Sequence, residues 1–211
     1  MRTGGGEIPA GSPVSLGPYQ IPIDRDGVAL ALLAAGDRRG AAAELVRVHG
    51  ARVHEYLRSL LRDPDVADDA YSLFCEWTLQ AMWRYRGEAS LRTWAFGIAY
   101  NAARRVRSEA YRRRKRTLHT RDVVEIPDRK STVSALRRER AARRLEELRR
   151  HLSEEDQNLL ALRVEQRLEW EEIVRVLHSG GEKVTSQALR KRFERLKDRI
   201  GRLARELGVY E

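Results

Sequence analysis

The chain has a single cysteine, Cys75, so no intramolecular disulfide can form. No Cys/His cluster has the spacing of metal ligands. His49 and His54 share a predicted helix, but nothing near them in sequence completes a site. Long apolar runs are missing too: Val28 to Ala35 is the longest, well short of the ~20 residues that span a membrane. The start, Met1-Arg2-Thr3-Gly4-Gly5-Gly6, lacks the apolar core of a secretory leader. There is no P-loop, no Ser/His/Asp set and no pair of carboxylates in an apolar setting. These absences predict a cytoplasmic protein with no cofactor, no metal, no membrane contact and no catalytic residues.

Cationic charge is what the chain has in excess. Its 211 residues carry a net charge of +10, with arginine far outnumbering lysine. Such a balance favours an anionic partner, and guanidinium forks suit phosphates and guanine edges. The charge concentrates after an aromatic helix. Tyr85-Arg86-Gly87-Glu88-Ala89-Ser90 leads into Leu91-Arg92-Thr93-Trp94-Ala95-Phe96-Gly97-Ile98-Ala99-Tyr100-Asn101. Arg104, Arg105, Arg107, Arg112, Arg113, Arg114, Lys115 and Arg116 follow. Aromatic faces beside a cationic track suit flat bases joined by phosphates. A core helix with a solvated basic tail is the plainer alternative.

Helical periodicity dominates, and no strand pattern competes. Residues 1–23 hold four of the six prolines and predict a disordered tail. Asp24 or Asp26 offers an N-cap for a helix through Ala35, which Gly36-Asp37 breaks. Further helices are expected over about Arg38–Leu61, Asp65–Trp83 and Leu91–Arg113, making a first module of residues 24–116. Val123-Val124-Glu125-Ile126-Pro127-Asp128 has no helical period, so residues 117–132 read as a linker. In the second module, 133–211, Leu136, Leu145, Leu148 and Leu152 form a stripe. Ser153 with Asp156 three residues on suggests a capping box. A short helix carries Trp170, Ile173, Val174 and Leu177. His178 to Val184 is a loop, and a last helix runs from about Thr185 to Leu207. The fold class is therefore all-α: two small helical domains on a flexible linker, the second a helix-turn-helix.

On the last helix Leu189, Phe193, Leu196, Ile200, Leu203 and Leu207 share one face. The opposite face holds Gln187, Lys191, Glu194 and Asp198, flanked by Arg190 and Arg195. Arg192 falls nearer the buried edge, where a phosphate or an internal carboxylate suits it better than a base. In a helix-turn-helix the start of the second helix enters the major groove, which makes Arg190 and Lys191 the base-edge candidates. A solvated amphipathic helix is the alternative.

Several strings together resemble the bacterial sigma factors of the extracytoplasmic-function type, over roughly residues 24–208. They are Ala34-Ala35-Gly36-Asp37; Asp65-Val66-Ala67-Asp68-Asp69-Ala70; Tyr85-Arg86-Gly87 with Leu91-Arg92-Thr93-Trp94 and Ile98-Ala99-Tyr100-Asn101; and Leu152-Ser153-Glu154-Glu155 with Trp170-Glu171-Glu172-Ile173 and the basic last helix. The resemblance implies a promoter-specificity subunit in two parts, region 2 (24–116) and region 4 (133–211). Asp65, Asp68 and Asp69 would dock on the β′ coiled coil of RNA polymerase core, and the β flap would hold region 4. The acidic side chains equally suit the positive end of their own helix. Arg86, Gly87, Glu88 and Ser90 would form the −10 loop that receives a flipped base. Tyr100, Asn101, Arg104 and Arg105 would read or follow the −10 element, with Tyr100 and Tyr85 as stacking candidates and Trp94 and Phe96 as core. Gln187, Arg190, Lys191, Glu194 and Arg195 would face the −35 groove. Promoter DNA and an anti-sigma protein are the further partners implied.

The chain departs from the family pattern at Ser72, Cys75 and Gly97, the last standing where an arginine is usual. The turn from His178 to Val184 is longer than the family's. The rival readings are a stand-alone helix-turn-helix regulator, a basic RNA-binding helical protein and a helical adaptor.

Overall fold

The computed structural model describes residues 26–61, 63–116, 147, 148 and 150–206. Every regular element among them is helical. The predicted tail and linker lie outside the described residues, as do Asp24, Leu136, Leu145 and Leu207.

Helix α1 (Gly27–Ala34) lies against α2 (Arg38–Leu61), and the break between them uses Gly36 at φ 81°. Asp26 sits at the N-cap position of α1, but its side chain does not cap. Its carboxylate instead meets the buried His49 Nε2 at 2.7 Å, tying the start of α1 to α2. Helix α3 (Pro64–Ala81) begins as a sharp stop and restart. Asp63 accepts from the amides of Asp65 (3.1 Å) and Val66 (3.4 Å), and Pro64 takes the first turn where its missing N–H costs nothing. A 3-10 turn, Met82–Arg84, ends the segment.

Helix α4 (Leu91–Arg116) completes the first module. Leu91, Ala95, Phe96, Ala99, Ala102, Ala103 and Val106 are buried along it. The four alanines let α2 and α3 approach closely, and Phe96 fills the centre edge-on to Tyr56 at 5.4 Å between ring centroids.

The second module contains α5 (Glu154–Leu160), a π-turn (Ala161–Glu165), α6 (Trp170–Ser179) and α7 (Ser186–Glu206). The Ser153 hydroxyl accepts from the Asp156 amide at 3.2 Å, as a cap should. Asp156 does not reach back to close the box. Arg192 of α7 takes its carboxylate at 2.7 Å, a charged bond stronger than a neutral cap. The reciprocal contact occurs at α6, where the Glu169 amide donates to Glu172 at 2.8 Å. The π-turn closes with Gln166 N on Ala161 O at 2.8 Å, and Arg167 follows at φ 52°.

The two modules share a core. Leu159, Leu162, Leu168, Ile173, Val176, Leu177 and Leu189 join the same buried cluster as Tyr56, Phe96 and Tyr100. A smaller cluster of Leu148, Leu152, Leu196 and Ala204 lies beneath α7. Sequence periodicity carries no sign of this seam between the modules.

Burial holds the pKa of His49 below that of an ordinary imidazole, with Asp26 pulling the other way. The folded chain therefore binds this proton less readily than the unfolded chain does. The contribution of His49 is complete above its unfolded pKa of about 6.5 and is lost as pH falls through the lower folded value. Melting temperature is expected to drop more for the native chain than for His49→Gln between about pH 8 and about pH 5. Parallel curves would contradict this.

Candidate nucleic-acid interface

The loop before α4 is built by short local bonds. Tyr85 Oη donates to Ala89 O at 2.7 Å and closes the loop on itself, while its ring packs edge-on to half-buried Trp94. Gly87 takes φ 74°, a left-handed turn that other residues adopt at a cost. Ser90 starts α4 by accepting from the Thr93 amide at 3.1 Å. Arg86, Gly87 and Glu88 are left exposed at the rim. Beside the loop, Trp77, Gln80, Ala81, Arg84, Ile98 and Asn101 line an open groove of about 450 Å³. Trp83 projects next to it, 59% exposed, with the Arg84 guanidinium 4.8 Å from its ring centre.

The middle of α4 is not open. Tyr100 is 7% exposed, and its hydroxyl donates to the Glu182 carboxylate. Burial, and then that bond, push its pKa well above the usual phenol value. Asn101 Nδ2 donates to both Ser179 O and Ser179 Oγ at 3.2 Å. Arg104 donates to Gly180 O and lies over the Tyr100 ring. Arg105 pairs along the helix with Glu109 at 2.7 Å. Arg107 bridges to Glu154 (2.8 Å) and Leu60 O (3.0 Å). Tyr100, expected as a stacking surface, is thus covered by the loop that follows α6.

The same seam holds residues that sequence reasoning passed over. Tyr56 Oη donates to the buried Asn158 at 2.7 Å, Thr93 Oγ1 donates to Glu172 at 2.7 Å, and Arg92 donates to Gln166 O. These partners stand 74 to 102 positions apart, where no periodicity links them. A cleft of about 500 Å³ opens along the seam, lined in part by Arg104, Arg107, Glu154, Glu155 and Glu182.

The acidic residues of α3 stay at its exposed start. Asp65 and Asp69 face solvent, and Asp68 meets His54 Nε2 at 2.7 Å. On α7, Gln187, Arg190, Lys191, Glu194 and Arg195 are all exposed. Arg190 reaches Glu171 at 3.4 Å, and Glu194 pairs with Lys197 at 2.7 Å. Arg192 turns inward to Asp156, Glu155 and Ser153, as its place on the helical wheel predicted. The structure therefore groups Tyr100, Asn101 and Arg104 at the seam. Arg86, Gly87 and Glu88 stand at the loop rim, and the five α7 residues form a separate surface.

Among the described residues no group of three His, Cys, Asp or Glu side chains is placed to hold a metal ion. No described helix is long and apolar enough to cross a membrane.

Comparison with known proteins bears on the first module most directly. Sigma-70 region 2 matches residues 45–117. Among solved structures, CnrH in complex with the cytosolic domain of CnrY shares the fold, at 20% identity and a TM-score of 0.59. That likeness covers 87% of this chain and 99% of CnrH, so both modules take part. No curated protein sequence matches the chain. The matched segment contains the Tyr85–Asn101 string on which the sequence resemblance rests. Residues 45–117 therefore carry the pattern of sigma-70 region 2, and the chain shares its overall fold with CnrH.

Proposed function

We propose that the chain binds RNA polymerase core and directs it to promoters by reading two separated DNA elements. The observation that carries this reading is that the region 2 match includes an exposed loop rim and an open groove along the start of α4. Arg86, Gly87 and Glu88 form an exposed rim, and the groove between Arg84 and Asn101 lies alongside it. Extruding a base costs a few kcal/mol, so a receiving groove on a rigid helix is the device required. Tyr100, Asn101, Arg104 and Arg105 would follow the −10 strand. Gln187, Arg190, Lys191, Glu194 and Arg195 would meet the −35 major groove, through base edges and phosphates. Residues 117–132 would tether the two readers, raising the effective concentration of the second once the first has bound. The polymerase supplies the chemistry; this chain traps bases that unpair.

Asp65, Asp68 and Asp69 would dock on the basic β′ coiled coil, and region 4 on the β flap. An anti-sigma protein is a further partner in this reading, by analogy with the complex in which CnrH was solved. The test is co-elution of the full chain with polymerase core. The native chain is expected to co-elute, and Asp65→Lys/Asp69→Lys to lose co-elution while keeping its helical circular dichroism. A native chain that elutes apart from core would overturn the proposal.

A further inference from the structure

Most aromatic rings of the basic segment are spent on the fold. Phe96 has no exposed surface, and Tyr100 is nearly as buried. Tyr85 packs on Trp94 and gives its hydroxyl to Ala89 O, while Trp77 lies half-buried in the wall of the α3–α4 groove. Among the described residues Trp83 is the one aromatic side chain left exposed, at 59%.

The local fold puts it there. The 3-10 turn Met82–Arg84 closes α3, and Met82 takes the inward position with no exposed surface. A turn of three residues offers the core one of them, so Trp83 and Arg84 face outward. The Arg84 guanidinium lies 4.8 Å from the Trp83 ring centre, within cation–π range. Arg84 also lines the groove that runs to Ile98 and Asn101. It therefore joins a flat open ring to an open groove.

Charge decides what this surface suits. From Trp77 to Arg92 the chain carries three arginines against one carboxylate, Glu88. Leu79, exposed one turn earlier, would suit a protein contact, but a basic coiled coil would be repelled by Arg84 and Arg86. An anionic partner that also carries flat apolar groups is attracted on both counts, and single-stranded DNA is such a partner.

We infer that Trp83 is a stacking platform for an unpaired DNA base, with Arg84 bound to the phosphate beside that base. The inference deepens the reading under Proposed function and rests on it. It gives Trp83 the stacking role that the sequence resemblance offers to Tyr85 and Tyr100. Stacking tolerates any base, because every base has a π-face. Trp83 therefore holds an opened strand, and the reading of sequence is left to the polar groups of the loop and of α4.

The test uses the full chain at low salt. The probe is a fluorescein-labelled thymidylate oligomer of about 12 nucleotides, read by anisotropy. Trp83→Ala is expected to weaken binding by about fivefold to about a hundredfold, the range for one lost base stack. Trp83→Phe, which keeps a flat ring, is expected to restore most of the affinity. The same oligomer paired with its complement offers no unpaired base, so native and Trp83→Ala chains should bind that duplex equally. Unlabelled oligomer should quench part of the native tryptophan emission and leave that of Trp83→Phe unchanged. Native affinity in Trp83→Ala would overturn the platform, as would an equal loss on single strand and duplex, or a native chain that does not bind the oligomer. A Trp83→Ala chain that loses co-elution with core while binding the oligomer normally would make the ring a protein contact, and would overturn it too. Native co-elution is scored separately. If it holds while Trp83→Ala binds the oligomer as the native chain does, only the platform falls. If it fails while oligomer binding follows the ring, the platform stands and the polymerase reading falls.

Discussion

Replacing Phe96 by alanine is expected to cost about 3–5 kcal/mol of folding stability. The ring has no exposed surface, and it packs edge-on to Tyr56 where the helices of the first module meet the second. A domain of ordinary stability has only about 5–15 kcal/mol in total, so the variant should unfold far earlier in urea. Trp83→Ala, at an exposed ring beside the α3–α4 groove, should shift the urea midpoint little, within about 0.5 kcal/mol. The contrast separates two kinds of aromatic residue in one basic segment. Phe96 shapes the helix that carries the site, whereas Trp83 is available to a partner. A Phe96→Ala chain as stable as the native one would show that the first module is not organised around this ring.

The second large effect concerns initiation. Arg86→Ala/Asn101→Ala is expected to lower promoter-directed transcription by about tenfold to a hundredfold, the 1–3 kcal/mol typical of a lost base contact. Co-elution with polymerase core should be unchanged, because both side chains lie away from the acidic start of α3. Ser90 is left intact: it caps α4 through the Thr93 amide, and losing such a cap costs about 1 kcal/mol of helix stability. Among the described residues Asn101 bonds Ser179 alone, at a partly exposed position, so its truncation leaves no buried orphan there. Equal loss of transcription and of core binding would indicate damage to the fold and contradict the assigned role.

Much of the fold was legible because its determinants are local. The limits of α2 follow from Gly36-Asp37 on one side and Asp63-Pro64 on the other, and the helix occupies Arg38–Leu61 as the periodicity predicts. The wheel of α7 puts Arg192 nearer the buried edge, suited to a phosphate or an internal carboxylate, and its partner is the Asp156 carboxylate. The expectations that failed are those in which a distant group outcompeted a neighbour. Asp26, one of two N-cap candidates for α1 with Asp24, binds His49 instead, 23 residues away. Asp156 was expected to close a capping box and instead binds Arg192, 36 residues away. Tyr100, which the family resemblance offers as a stacking candidate, is buried. Its burial comes from a loop 82 positions along the chain, which no helical period can anticipate. The one available sign was the length of the turn itself. His178 to Val184 is longer than a helix-turn-helix needs, and the excess includes the residues that cover α4. Glycine at position 97 had the same origin: it looked like a departure from pattern and is the point at which Ser179 makes contact.

The most direct test is transcription reconstituted from purified core, the full chain and a library of genomic fragments, with transcript 5′ ends mapped. The account predicts a new set of start sites, absent with core alone, that share two sequence elements at fixed upstream spacing. The same start sites with and without the chain would contradict it.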